Sequence, residues 1–161
     1  MAEVLVLAEH TADGEVKKVT LELLSAARRL GSPSVVWAGP GADAAQARLA
    51  EYGAEKVYVA DSPDLSGYVV APTAELLASL VTEKSPAAVL VAGTTEGKEI
   101  AGRLAVKTGS GVLTDAVDLQ PGDDGPVPDG QARRAPLSPR LAACCEIAMG
   151  VTMGYMLILM L

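Results

Sequence analysis

Short apolar runs alternate with segments of helical period along the first 120 residues, and this alternation limits the fold more than any other feature of the chain. Val4–Ala8 is a run of strand length. Beyond the turn-like Ala12-Asp13-Gly14, apolar residues fall at Val16, Val19, Leu23, Ala27 and Leu30. Steps of three and four put them on one helical face, and Gly31 and Pro33 end that helix. Ser34-Val35-Val36-Trp37 is β-branched and aromatic and reads as a second strand. Gly39-Pro40-Gly41 then turns the chain into an Ala-rich helix from Ala42 to Tyr52. The pattern repeats with a strand at Lys56–Ala60, a helix at Pro72–Lys84, a strand at Ala87–Ala92, a helix at Gly97–Lys107 and a fifth strand at Gly111–Leu119. Pro72 suits a first helical turn, where a missing N–H costs little.

Strands that are short, wholly apolar and separated by helices need cover on both faces. Right-handed crossovers then favour an α/β fold: a doubly wound, mostly parallel five-stranded sheet flanked by helices. The expected strand order is 3-2-1-4-5, with the flavodoxin-like 2-1-3-4-5 as the alternative.

The rest of the chain has another texture. Pro121–Pro139 holds five prolines and three glycines in nineteen residues, too many for a long strand or helix. Leu141–Leu161 then holds 17 apolar residues in 21. The expected organisation is an α/β domain over residues 1–120, a Pro/Gly-rich linker over 121–140 and an apolar C-terminal helix over 141–161. At ~1.5 Å per residue, 21 helical residues can cross a hydrocarbon core of ~30 Å. Arg133, Arg134 and Arg140 precede the segment, Gly150 and Gly154 form a GxxxG spacing, and Glu146 opposes insertion. Three readings stay open for it: a tail anchor, an apolar end produced by truncation, frameshift or fusion, and a core helix replacing lost parts of the domain.

Charge excludes other classes. Residues 1–128 carry 18 acids against 10 bases, and the whole chain has a net charge of −7. Nucleic-acid binding, which rests on Lys and Arg neutralising phosphates, is not expected. Cys144 and Cys145 are adjacent and alone, without metal-ligand spacing or a disulfide framework. The N-terminus lacks the basic segment of a signal peptide, which points to a cytoplasmic body.

Two loops resemble phosphate cradles. Gly39-Pro40-Gly41-Ala42-Asp43-Ala44 fits G-x-G-x-x-A, and Asp61 follows 22 residues on. The loop follows strand 2, however, whereas the crevice of a 3-2-1-4-5 sheet opens between strands 1 and 4, so a tight turn starting a helix is the better reading. Gly93-Thr94-Thr95-Glu96-Gly97-Lys98-Glu99 does follow strand 4. It departs from a Walker A loop, because its first glycine is one residue too near and Glu99 replaces the Mg²⁺-binding hydroxyl. Thr94, Thr95, Gly97, Lys98 and, further along helix 4, Arg103 are therefore candidates for an anion or partner contact. The plainer reading is a loop whose Thr95 caps helix 4, with Lys98 solvated. His10 is the sole histidine, and Asp115 and Asp118 lie three apart on the fifth strand, so no catalytic constellation emerges.

The run AGTTEGKEIAGRLAVKTGSGVLTDAVDL (92–119), taken with MAEVLVLAEH…DGEVKKVTLELLSAARRLG (1–31) and YGAEKVYVAD (52–61), resembles the N-terminal domain of the electron transfer flavoprotein alpha subunit, over about residues 1–127. The resemblance implies a Rossmann-like scaffold that pairs with a beta subunit in a heterodimer carrying FAD. Such a heterodimer passes electrons from flavoprotein dehydrogenases, those of fatty acid β-oxidation among them, to the respiratory chain. In the family the flavin lies chiefly in a C-terminal domain of the alpha subunit. Here the proline-rich stretch follows Asp118-Leu119 instead, so the expectation is a truncated alpha subunit: not an enzyme, with no FAD-site residue to carry over and no FAD bound by the chain alone. The alternatives are a stand-alone adenine-nucleotide-binding domain of universal-stress-like type, using the loops after strands 1 and 4, and a membrane-tethered remnant without activity.

Overall fold

The computed structural model describes residues 2–63, 65, 68, 70–116, 118–122, 125–128, 144–145 and 155–159. Its centre is a pair of strands with no polar residue in their interior. β1 (Glu3–Leu7) and β4 (Ala88–Ala92) pair in parallel, Val4 opposite Ala88 and Val6 opposite Leu90. Because side chains alternate across a strand, each contributes to two cores. Val4, Val6, Ala88, Leu90 and Ala92 face one side with Val35 and Trp37 of β2 (Ser32–Ala38). Leu5, Leu7, Val89 and Val91 face the other with Val36.

Helices cover both sides, as a buried parallel sheet requires. α1 (Lys18–Leu30) and α2 (Ala42–Glu51) pack on the first face through Leu23, Leu24, Ala27, Ala45 and Leu49. α3 (Ala71–Lys84) and α4 (Thr95–Thr108) pack on the second through Leu77, Val81, Ile100, Ala101 and Leu104. Right-handed crossovers that run outward from β1 to β2 and β3 (Lys56–Ala60), then back across to β4, place the two helix pairs on opposite faces. The order in which strands are added therefore reverses at β1, with β2 on one side of it and β4 on the other.

The order β3-β2-β1-β4-β9-β5-β8 retains the expected 3-2-1-4-5 sequence and interrupts it. β9 (Tyr155–Leu159) lies between β4 and β5 (Gly111–Ala116), antiparallel to both, and β8 (Cys144–Cys145) pairs in parallel with β5. The expected apolar C-terminal helix is corrected at these residues. Tyr155–Leu159 is a strand because the edges of β4 and β5 offer it two ladders of backbone hydrogen bonds. The remaining residues of 141–161, Glu146, Gly150 and Gly154 among them, lie outside the described residues. Among the described residues no helix is long and apolar enough to cross a membrane.

The proline-rich stretch also holds more order than its composition suggests. β6 (Leu119–Gly122) and β7 (Gly125–Pro128) form an antiparallel pair of their own, Pro121 opposite Pro126. A two-stranded ribbon is all edge, and edge strands tolerate proline's missing donor. The expected linker thus begins as a hairpin, and Leu119 is fully buried against the α1-side core. The fifth strand is correspondingly shorter than expected, with a register shift between Leu113 and Ala116 where Asp115 takes a φ of 57°.

A polar cluster fixes the register of the first three strands near their amino ends. Glu3 Oε1 accepts from Ser34 Oγ at 2.5 Å, Tyr58 Oη at 2.9 Å and Lys56 Nζ at 3.4 Å. Burial works to raise the pKa of Glu3, but these donors outweigh it and hold the carboxyl below its ordinary value of 4.5. Tyr58 is pushed the other way, above 10.0, by burial and by its bond to Glu3. A depressed carboxyl contributes stability that is present above the ordinary value and lost as pH falls through the folded one. Glu3→Gln is expected to cost about 1–2 kcal/mol at neutral pH. The loss should vanish as both proteins are taken well below pH 4.5, which urea midpoints measured at the two pH values will check.

Candidate functional site

The carboxyl ends of the strands at a chain reversal are where open α/β sheets bind ligands. Here the reversal between β1 and β4 opens a crevice of about 500 Å³, walled by Leu7, Val91 and Ile100 and rimmed by Glu9, His10, Lys17, Thr94 and Glu96. Each rim residue is placed by a strand end or a helix start. Glu9 and His10 follow β1, Lys17 is the residue before α1, and Thr94 is the residue before α4.

Thr94, not the expected Thr95, caps α4. Its Oγ1 accepts from the Gly97 N–H at 3.1 Å and donates to Glu9 Oε1 at 3.1 Å. Its extended φ and ψ of −72° and 164° aim the hydroxyl back at the helix, the geometry of an N-cap. Gly97 serves packing: a Cβ there would stand 2.0 Å from the Ala92 carbonyl oxygen, so only glycine lets α4 start this close to β4.

Glu9 is the residue that sequence reasoning passed over. Its main chain is tied to α1 on both sides, its N–H donating to Thr20 Oγ1 at 2.8 Å and its C=O accepting from Thr20 Oγ1 and from the Lys17 N–H, each at 2.9 Å. Its carboxylate spans the crevice, reaching Thr94 with one oxygen and Lys17 Nζ with the other at 3.2 Å. The available signal was position, since an acid directly after the first strand of a 3-2-1-4 sheet must stand at the crevice.

Of the sequence candidates, Thr94, Thr95 and Gly97 line the crevice. Lys98 and Arg103 are not among its lining residues. Lys98 Nζ pairs with Asp115 Oδ1 at 2.8 Å, so it is engaged and not merely solvated. Arg103 pairs with Glu99 one turn back, at 3.1 Å through Nε and 2.8 Å through Nη2. Asp115 and Asp118 part company: Asp118 bonds Arg29 of α1, whose guanidinium holds its carboxyl below the ordinary value.

The dinucleotide-like turn Gly39-Pro40-Gly41 is absorbed by the protein itself. Gly41, at φ 88°, stands so close to Gly14 that an added Cβ would lie 3.1 Å from the Gly14 Cα. His10 stacks on Trp37 at 4.0 Å, with Nε2 at 2.9 Å from the Ala38 carbonyl and Nδ1 at 2.9 Å from the Thr11 carbonyl. Trp37 Nε1 donates to the Pro40 carbonyl at 3.0 Å. His10 thus joins the β1–α1 loop to the end of β2.

Comparison with known proteins identifies this arrangement. The family model of the electron transfer flavoprotein domain matches residues 4–136. The chain belongs to the electron transfer flavoprotein family. It is similar to the electron transfer flavoprotein subunit alpha of Mycobacterium tuberculosis, 50% identical over 127 residues that make up 78% of this chain and 40% of the relative. The subunit alpha of Mycobacterium leprae is 50% identical over 124 residues, 76% of this chain and 39% of that one. That of Syntrophomonas wolfei is 37% identical over 109 residues, 67% of this chain and 34% of that one. The chain thus spans about two fifths or less of the length of these relatives.

Electron transfer flavoproteins bind FAD as a family, and the described residues of this chain do not fit it. The one glycine turn of dinucleotide type is packed against Gly14, and the carboxylates of Glu9 and Glu96 face the crevice where a pyrophosphate would have to lie. The cap itself is open to test. Thr94→Val removes both the helix acceptor and the donor to Glu9, and is expected to destabilise the fold by about 1 kcal/mol. Thr94→Ser should restore most of the loss in a urea titration.

Proposed function

We propose that this chain is the scaffold part of an electron-carrier alpha subunit, acting in the cytoplasm by pairing with an electron transfer flavoprotein beta subunit. FAD belongs to the assembled carrier and not to this chain alone. The carrier would accept electrons from flavoprotein dehydrogenases and hand them toward the respiratory chain, with no catalysis of its own in this domain. The observation that supports this most strongly is the match of the family model over residues 4–136, with relatives named as alpha subunits. The carboxylate-rimmed crevice adds support, since it disfavours the stand-alone nucleotide-binding reading.

The start of α4 from Thr94 to Lys98, exposed except at Gly97, is together with Arg103 the proposed contact region for the beta subunit. Lys98 and Arg103 stand there as ion pairs with Asp115 and Glu99, and partly exposed pairs contribute only ~0–1 kcal/mol to folding. They are therefore available to meet partner groups at little cost in stability.

Co-expression of the whole chain with the beta subunit of the same source is expected to yield an equimolar complex. Failure of the two to co-purify would remove the reading. Reversing the charge of both Lys98 and Arg103 should weaken the complex roughly ten-fold and leave the circular dichroism of the chain unchanged. The chain purified alone is expected to be colourless; an equimolar, reducible flavin in its absorption spectrum would contradict the scaffold assignment.

A further inference from the structure

We propose that Glu9 is the resident anion of the crevice between β1 and β4, and that it closes this crevice to phosphate-bearing ligands. The place is made for negative charge. Two helices, α1 and α4, begin at it, and helix N-termini favour anions through their unpaired N–H groups and dipoles. Lys17 is the one lysine or arginine among the described residues that line it. At about 500 Å³ the crevice is of small-molecule size.

The Glu9 carboxylate already takes what an incoming phosphate would need. One oxygen holds Lys17 Nζ at 3.2 Å and the other holds the Thr94 hydroxyl at 3.1 Å. That hydroxyl also accepts the Gly97 N–H, so the positive end of α4 is relayed through Thr94 to Glu9. Three hydrogen bonds linking the Glu9 main chain to Lys17 and Thr20, at the start of α1, fix the backbone from which the side chain reaches across. Little entropy is left to lose, and an intramolecular anion competes at a high effective concentration. A phosphate would have to displace this carboxylate while facing it and Glu96 at close range, with Lys98 held aside by Asp115. The inference does not rest on the pairing with a beta subunit.

Whole-chain protein and its Glu9→Gln variant would be titrated calorimetrically with inorganic phosphate and with ATP. Their melting temperatures would be compared in phosphate and chloride at equal ionic strength. Glutamine keeps the length of the side chain and an acceptor for Thr94 but frees Lys17. The expected result is no heat and no shift for the native chain up to ~10 mM ligand. Glu9→Gln should bind phosphate in the millimolar range and gain roughly 2–4 °C, and Lys17→Met added to it should abolish the gain. Binding of phosphate or ATP by the native chain as tight as by the variant would overturn the proposal. So would a folded Glu9→Gln that ignores phosphate. Should that variant not fold, Glu9→Ser takes its place under the same criteria, and the native-chain titration stands as a test by itself.

Discussion

Everything in this molecule is arranged around the parallel pairing of β1 with β4. Two strands without a polar residue in their interior have to be shielded above and below, and the chain supplies one helix pair to each face. Once β1 is central, the strands before and after the reversal must leave it in opposite directions. The loops at its carboxyl end then splay apart and open a crevice. The hydrophobic demand of nine residues thus dictates the layers, the topology and the location of the candidate site together.

Most of this was legible in the chain. β3 was read at its observed bounds, and the first four strands and four helices came within two residues or so at most ends, because each apolar run is short and each helix has one periodic face. Three features escaped. Val16 sits on the helical row of α1 but lies before the helix, bridged to His10, since a turn around Gly14 sets the start. The β6–β7 ribbon was hidden by its prolines, whose exclusion from sheets applies to central strands. β9 shows no helix-against-strand contrast in its apolar run, and its place depends on a pairing with residues some forty to seventy positions earlier.

The site was half legible. Chain reversal pointed to the loop after β4, and glycine, threonine and lysine there drew attention to it. Which hydroxyl caps the helix was decided by one residue of phase, Thr94 in place of Thr95. Whether Lys98 was free was decided by the bulge that turns Asp115 toward it. Glu9 was invisible for a different reason: a lone acid after a strand is commonplace, and its importance comes only from partners 8 and 85 residues away.

The seam between His10 and Trp37 has a practical side. Trp37 is the chain's single tryptophan, wholly enclosed, with an imidazole stacked against its indole at 4.0 Å. Its emission should therefore lie toward the blue and be dimmed by the stacked ring. Loosening of the turn that ends β2 would separate the rings and wet the indole, moving colour and brightness at once. The molecule carries its own optical gauge of order at the mouth of the crevice, readable without any attached dye.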